Sequence, residues 1–198
     1  MPAPIQDIDG CRLAHRRLFD RLTSLTDEQA RQASRLPDWT VGHVLTHLAR
    51  NADSVVRRLE GAAAGHVVDQ YPGGYAGRAA DIASGARRAA AELVADVRAS
   101  AGQLETLCAA TPEEAWSRPT RDVSGAERPA STLLFTRWRE VEVHHADLGL
   151  GYAPEDWPEE LVALWLPREL DRLPKRADPK ELLAWIIGRG PAPVPGNW

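Results

Sequence analysis

The sequence predicts a mostly α-helical protein, on two observations. Ala, Arg and Leu are abundant while Ile, Phe and Tyr are scarce, a balance that favours helices over sheets. Apolar residues also recur at spacings of three and four through several long windows, the periodicity of helices that bury one face. No internal repeat and no long low-complexity tract interrupts this pattern.

A first helix is expected over residues 9–25, with Leu13, Phe19, Leu22 and Leu25 on its buried side. Thr26-Asp-Glu-Gln29 reads as a fresh helix start, Thr26 capping and Gln29 closing a capping box. Residues 34–38 form a connection, because Pro37 disfavours helix at Leu36. A second long helix starts after Thr40, a suitable N-cap, and runs to about Glu60, before Gly61. Val41, Val44, Leu45, Leu48, Ala52, Val55, Val56 and Leu59 make its apolar face, and His47 lies at the edge of that face. A lone histidine there can simply bond a carbonyl; His43, one turn earlier, makes His-x-x-x-His a competing arrangement.

Residues 61–75 read as a loop, with Tyr71-Pro-Gly-Gly74 as turn chemistry. It is either a plain connection or a substrate-facing loop offering Tyr71 or Tyr75 as a hydrogen-bond donor. A third long helix is expected over residues 76–110, weakened at Gly85 and Gly102, with Arg78, Arg87, Arg88 and Arg98 making a solvated face in preference to an anion site. Thr111 and Pro112 suit the cap and first position of a short helical turn, and the polar residues 117–128 form a short hairpin or loop around Gly125. After the helix described next, a helix over 159–173 should bend or break at Pro167; residues 172–179 are a linker, and a last helix covers 179–187 before Gly188. Residues 191–198 are an extended tail. The domain boundary is expected at 152/153, giving residues 1–152 and 153–198.

The chemistry concentrates in Arg137-Trp-Arg-Glu-Val-Glu-Val-His-His-Ala-Asp147. Leu134, Trp138, Val141, His145 and Leu148 follow helical spacing, no Gly or Pro falls between Ala130 and Leu148, Pro129 suits the first turn, and Gly149 suits the C-terminal cap. Glu140 and His144 then stack one turn apart on one face, in a sector shared with Leu133, Arg137 and Leu148, while Glu142 is expected on the far side, towards solvent. A carboxylate among apolar neighbours is costly unless paired, and either a metal or Arg137 would pair it. With His47 as third ligand, the set is two imidazoles and one carboxylate, the donor pattern of a catalytic divalent site with an open position.

Composition excludes other classes. Hydrophobic residues are 43% and charged residues 26%, and the net charge is -4, so no general nucleic-acid footprint is present. No apolar run reaches the ~18–20 residues of a membrane span. The N-terminus lacks the basic and apolar regions of a signal peptide, and Cys11 and Cys108 read as reduced, buried thiols, so a cytoplasmic location is expected.

The ordered motifs Trp39-Thr-Val-Gly-x-Val-Leu-x-His47, Tyr71-Pro-Gly-Gly74, Arg139-Glu-Val-x-Val-His144 and Asp147-Leu-Gly149 together resemble the mycothiol-dependent maleylpyruvate isomerase family, part of the wider DinB-like group. The resemblance implies a four-helix-type bundle whose inner face holds a divalent metal, usually zinc, on His47, Glu140 and His144, with His43 and His145 as neighbours. It implies mycothiol, a low-molecular-weight thiol of actinobacteria, as cosubstrate and a small electrophile as substrate. Leu182-Leu-Ala-Trp-Ile-Ile-Gly-Arg-Gly190 resembles the family's last helix, whose arginine is tied to substrate recognition, so Arg189 is the expected catalytic residue. The family carries strands before that helix, where this chain has only Arg172-Leu-Pro-Lys-Arg-Ala-Asp-Pro179; the C-terminal region is expected to be trimmed to helices and a tail.

The expected function is therefore metal-dependent activation of a thiol, a group mostly protonated at neutral pH, for isomerisation or S-transfer; Arg189, or Arg137 if it faces the metal, would hold a substrate carboxylate. The rival readings are a non-catalytic metal-binding or stress module, and a metal hydrolase using His43 or His145 as base. A monomer or dimer acting on small molecules, without nucleic acid or membrane, is expected.

Overall fold

In a computed structural model, which describes residues 2–194, the chain divides into two compact units, Met1–Asp156 and Trp157–Trp198. In the first unit, α1 (Ile5–Leu22), α3 (Val41–Ala64), α5 (Ala90–Ala110) and α6 (Thr132–Asp147) pack as a four-helix bundle: α1 touches α5 and α6, and α3 touches the same two. The short α2 (Asp27–Arg31) and α4 (Gly74–Gly85) lie against α3. The core between the long helices holds Leu18, Leu45, Leu48, Leu93, Leu104, Leu134, Trp138 and Val141. Each such residue contributes roughly 1.5–3 kcal/mol by leaving water.

Two of the caps read from sequence, at Thr26 and Thr40, form as expected. Thr26 Oγ1 accepts from Gln29 N while the Gln29 side chain accepts from Thr26 N. Thr40 caps α3, and the imidazole of His43 closes that box by accepting from Thr40 N at 3.2 Å. Helix α3 runs past Gly61 and stops at Gly65, whose φ of 80° suits a left-handed C-cap. Arg118 supplies the missing partners there, donating to Ala62 O and Ala63 O at 2.8 and 2.9 Å, where a cation also meets the negative end of the helix dipole.

The single helix expected over 76–110 is two helices, α4 and α5, broken after Gly85; Gly102 sits inside α5 without interrupting it. Ala90 N, freed at the break, donates to Asp27 Oδ1 at 2.7 Å, so α2 caps α5 from outside. Helix α1 begins earlier than expected, right after Pro4. Thr111 does not cap: its hydroxyl donates back to Leu107 O, and a 3-10 turn follows at Glu113–Ser117. The polar stretch is a hairpin, β1 (Pro119–Arg121) antiparallel to β2 (Glu127–Pro129), with Thr120 opposite Arg128. Pro129 therefore belongs to β2, and α6 starts at Thr132.

In the second unit, α7 (Glu159–Arg172) contains Pro167 without ending there. A 3-10 turn at Leu173–Lys175 leads to α8 (Pro179–Ile186), capped by Asp178 Oδ1 accepting from Lys180 N and Glu181 N at 2.9 and 3.1 Å. Part of the expected tail, 195–198, lies outside the described residues. Among the described residues, no helix is long and apolar enough to cross a membrane.

Candidate metal centre

Helices α3 and α6 pack side by side in the bundle, and each contributes one-turn-spaced polar residues to a common point. From α6 come Glu140 and His144; from α3 come His47 and, one turn on, Asn51. Potential ligand atoms of His47, Glu140 and His144 all lie within 4.8 Å of one another. Glu140 Oε2 is the hub: His47 Nε2 lies 3.0 Å from it, His144 Nε2 3.6 Å, and Asn51 Nδ2 donates to it at 3.3 Å. The two imidazoles stand perpendicular, with ring centres 4.6 Å apart.

The next shell fixes these groups. His144 Nδ1 meets Asp147 Oδ2 at 2.8 Å, three residues along α6. Arg78 of α4 donates to His47 Nδ1 at 3.1 Å. Its guanidinium lies 6.0 Å from the Trp39 ring centre and 5.8 Å from that of Tyr71. The Trp39 ring in turn packs edge-on to His47. Asn51 is aimed from behind: Arg137 donates to its Oδ1 at 2.9 Å, so the amide presents its NH2 to Glu140.

Electrostatics follow from these contacts. Burial works against the charge on Glu140, but hydrogen bonds to His144 and His47 overcome it and hold the carboxyl well below the usual range. Burial also opposes the charged form of His144; the hydrogen bonds to Asp147 and Glu140 outweigh it and raise the ring to about 9. His47 goes the other way, lowered to about 4 chiefly by burial. The metal-free cluster thus pairs a cationic His144 with Glu140 and Asp147 and keeps His47 neutral.

Several expectations need correction. Arg137 is fully buried and does not pair with Glu140 or face the cluster; it donates to Leu48 O at 2.8 Å, to Asn51 and to His15. It is not available to hold a substrate. Glu142 does point away from the cluster but not to solvent: it is fully buried, accepting from Arg17, from Trp138 Nε1 at 3.3 Å and from the Tyr152 hydroxyl. Helix α1 covers that side of α6, because Gly10 lets the Trp138 ring lie against the α1 backbone; a Cβ at Gly10 would overlap the ring. His43 is engaged in the α3 cap, and His145 stacks on Tyr152 with ring centres 3.8 Å apart. The arginines are not one solvated face: Arg78 touches the cluster, Arg88 pairs with Asp96, and Arg98 lies over Phe19. Of the two loop tyrosines, Tyr71 is buried against Arg78 and Tyr75 is exposed. Arg189 belongs to the second unit; it is exposed, in the turn after α8, with its backbone N–H on Ala184 O at 2.6 Å.

Asn51, Asp147 and Arg78 were missed as site residues. The first two had a signal, standing four and three residues from a ligand on the same helix. Arg78, 31 residues from His47 on another helix, had none.

The sequence profile of the mycothiol maleylpyruvate isomerase N-terminal domain matches residues 11–149. Among solved structures, the fold is similar to a mycothiol-dependent maleylpyruvate isomerase, with a TM-score of 0.77 and 27% identity over 82% of this chain and 67% of that one. It is similar as well to a histidine-to-alanine mutant of such an enzyme, with a TM-score of 0.77 and 26% identity over the same shares. No curated protein matches the chain.

Proposed function

We propose that this chain, which belongs to the mycothiol maleylpyruvate isomerase N-terminal domain family, is an enzyme that holds a divalent metal, zinc by its donor set, and activates a low-molecular-weight thiol. The observation that carries this reading is the convergence of His47, Glu140 and His144 from two helices, with ligand atoms within 4.8 Å. The residues fit a metal. Both imidazoles turn Nε2 to the Glu140 carboxylate, and Asp147 holds His144 by the nitrogen that would not bind the ion.

A bound divalent ion would supply Lewis acidity, taking a thiol to its thiolate at neutral pH. The protein's own groups prepare for this. Glu140 is anionic and His47 neutral before any ligand arrives, and Asn51 fixes the carboxylate oxygen nearest both rings. A thiolate adds to a conjugated carbon and leaves a single bond where the double bond was. Rotation and expulsion of the thiol give cis-trans isomerisation, as in the named activity of the similar structures; retention of the thiol gives S-transfer. By the sequence resemblance, Arg189 recognises the substrate. The hydrolase reading finds no base at the cluster: His43 is bound into the α3 cap, and His145 lies with Arg17 and Tyr152 in a pocket that none of the three ligands lines, lowered to about 4 chiefly by burial.

Metal analysis with a thiol-dependence assay tests the proposal. Purified protein should carry about one zinc per chain and turn over maleylpyruvate, or a conjugated or haloalkyl electrophile, only with mycothiol present; Arg189→Ala should slow that turnover. Full zinc occupancy without turnover of any of these would make the protein a non-catalytic metal-binding module.

A further inference from the structure

Helix α3 carries a buried polar stripe. His47, Asn51, Ser54 and Arg58 are 2, 5, 2 and 6% exposed, and at ~100° per residue their side chains leave the helix within one narrow sector. His47 and Asn51 belong to the cluster. Arg58 runs back along α3 towards them, Nε donating to Ser54 O at 3.1 Å. Ser54 is two turns from His47, on the order of 10 Å along the axis. Among the described residues the two terminal amino groups of Arg58 meet no acceptor, and no carboxylate lies within ion-pair distance of them. Arg137, the other buried arginine near the cluster, differs, since its donors are taken by Leu48, Asn51 and His15. The Tyr71 hydroxyl, on a ring that is itself buried, likewise makes no hydrogen bond among the described residues. Burial works against the charge on Arg58, and the ionisable groups that act on it are Tyr71, Asp122 and Glu140.

We propose that Arg58, with the Tyr71 hydroxyl, is the carboxylate-recognising end of this site and binds the acid group of the electrophile. The proposal rests on the metal-centre reading above. A buried cation without a counter-charge destabilises a fold, and the chain supplies none in contact with Arg58. Its two acidic neighbours are engaged elsewhere. Asp122 closes its own turn, Oδ1 accepting from Ser124 N, Ser124 Oγ and Ala126 N. Glu140 is held by His47 and Asn51, and a divalent ion would take up its charge. What remains is a pair of terminal amino groups on a planar guanidinium, which binds a carboxylate through two parallel N–H donors, a geometry that lysine does not reproduce. Because Arg58 and His47 share one helix, their separation is fixed, and an acid group on Arg58 leaves room for only a few carbon atoms before the metal ligands. Arg58 acts here independently of Arg189.

The test uses the whole protein loaded with zinc, and maleate, a small dicarboxylate, as the probe. By calorimetry Arg58→Met should bind maleate about tenfold or more weakly than wild type, with Arg58→Lys between the two, and Tyr71→Phe should lose roughly fivefold. All three variants should carry as much zinc as wild type, since none replaces a ligand. Without maleate, Arg58→Met should unfold in urea no earlier than wild type, because the substitution removes an unpaired buried charge. A cation that serves only the fold would give the opposite result. Equal maleate affinity in zinc-loaded wild type and Arg58→Met, or earlier unfolding of Arg58→Met without maleate, overturns the proposal. Failure of the metal-centre reading itself looks different, since wild type would then take up no zinc at all.

Discussion

Loading the site with zinc should release one proton, and the pH dependence of zinc affinity reads it out. In the metal-free protein His144 keeps its second proton up to a pH of about 9, because the hydrogen bonds to Asp147 and Glu140 outweigh the cost of burying the charge. His47, lowered to about 4 by burial, and Glu140, held well below its usual range, are already unprotonated at neutral pH. A metal needs the Nε2 lone pair of His144 and must displace its proton. The proton is thus bound below about pH 9 in the metal-free state and absent from the loaded one, so affinity falls as pH falls. One proton corresponds to about a tenfold change in Kd per pH unit, or roughly a hundredfold between about pH 6 and pH 8. Competition against a chromophoric chelator gives that slope, and calorimetry in buffers of different ionisation enthalpy counts the proton directly. A slope near zero would mean that His144 is not a ligand or carries no extra proton. A slope of about two would mean that His47 is protonated as well, against its contact with Arg78. Asp147→Asn removes a carboxylate that holds the proton and should bring the upper end of the pH dependence below 9.

Three further outcomes are expected. His47→Ala and His144→Ala should each lose most of the bound metal while keeping the helical circular-dichroism signal, whereas His43→Ala should keep the metal and lose about 1 kcal/mol of stability with its cap. Glu142→Ala should cost about 1–3 kcal/mol in urea unfolding, because Trp138 and Tyr152 lose a buried acceptor, yet leave zinc content unchanged. Gly10→Ala should cost about 1–3 kcal/mol by pushing the Trp138 ring off α1; a stability equal to wild type would mean that the two helices can separate freely.

How far the site was legible depends on where the information lay. Glu140 and His144 belong to one helix, and their spacing alone stacks them on one side. His47 needed the motif resemblance, because periodicity does not distinguish it from His43; the structure separates them by giving His43 to the α3 cap. The break between α4 and α5 was only half visible: Gly85 and Gly102 weaken a helix equally in sequence, but the chain breaks at one and passes through the other. At the break, Asp27 of α2 satisfies the freed Ala90 N–H, a partner 63 residues away that no local pattern reveals.

The sequence by itself determined the helical class, the caps at Thr26 and Thr40, and the shared face of Glu140 and His144, since each depends on residues a turn or two apart. Only the tertiary structure decided what covers each face. Angular spacing places Glu142 opposite Glu140, but burial there follows from α1 lying on that side of α6, with Arg17 and Tyr152 supplying donors. Arg137 shares the sector of Glu140 and yet turns to Asn51 and Leu48, because α3 offers acceptors closer than the carboxylate. Arg78 reaches His47 only because α4 packs on α3. A helix sequence fixes the direction in which each side chain leaves its own axis; the partner it meets is fixed by the packing of other helices, which is set by the whole core and not by any one stretch of chain.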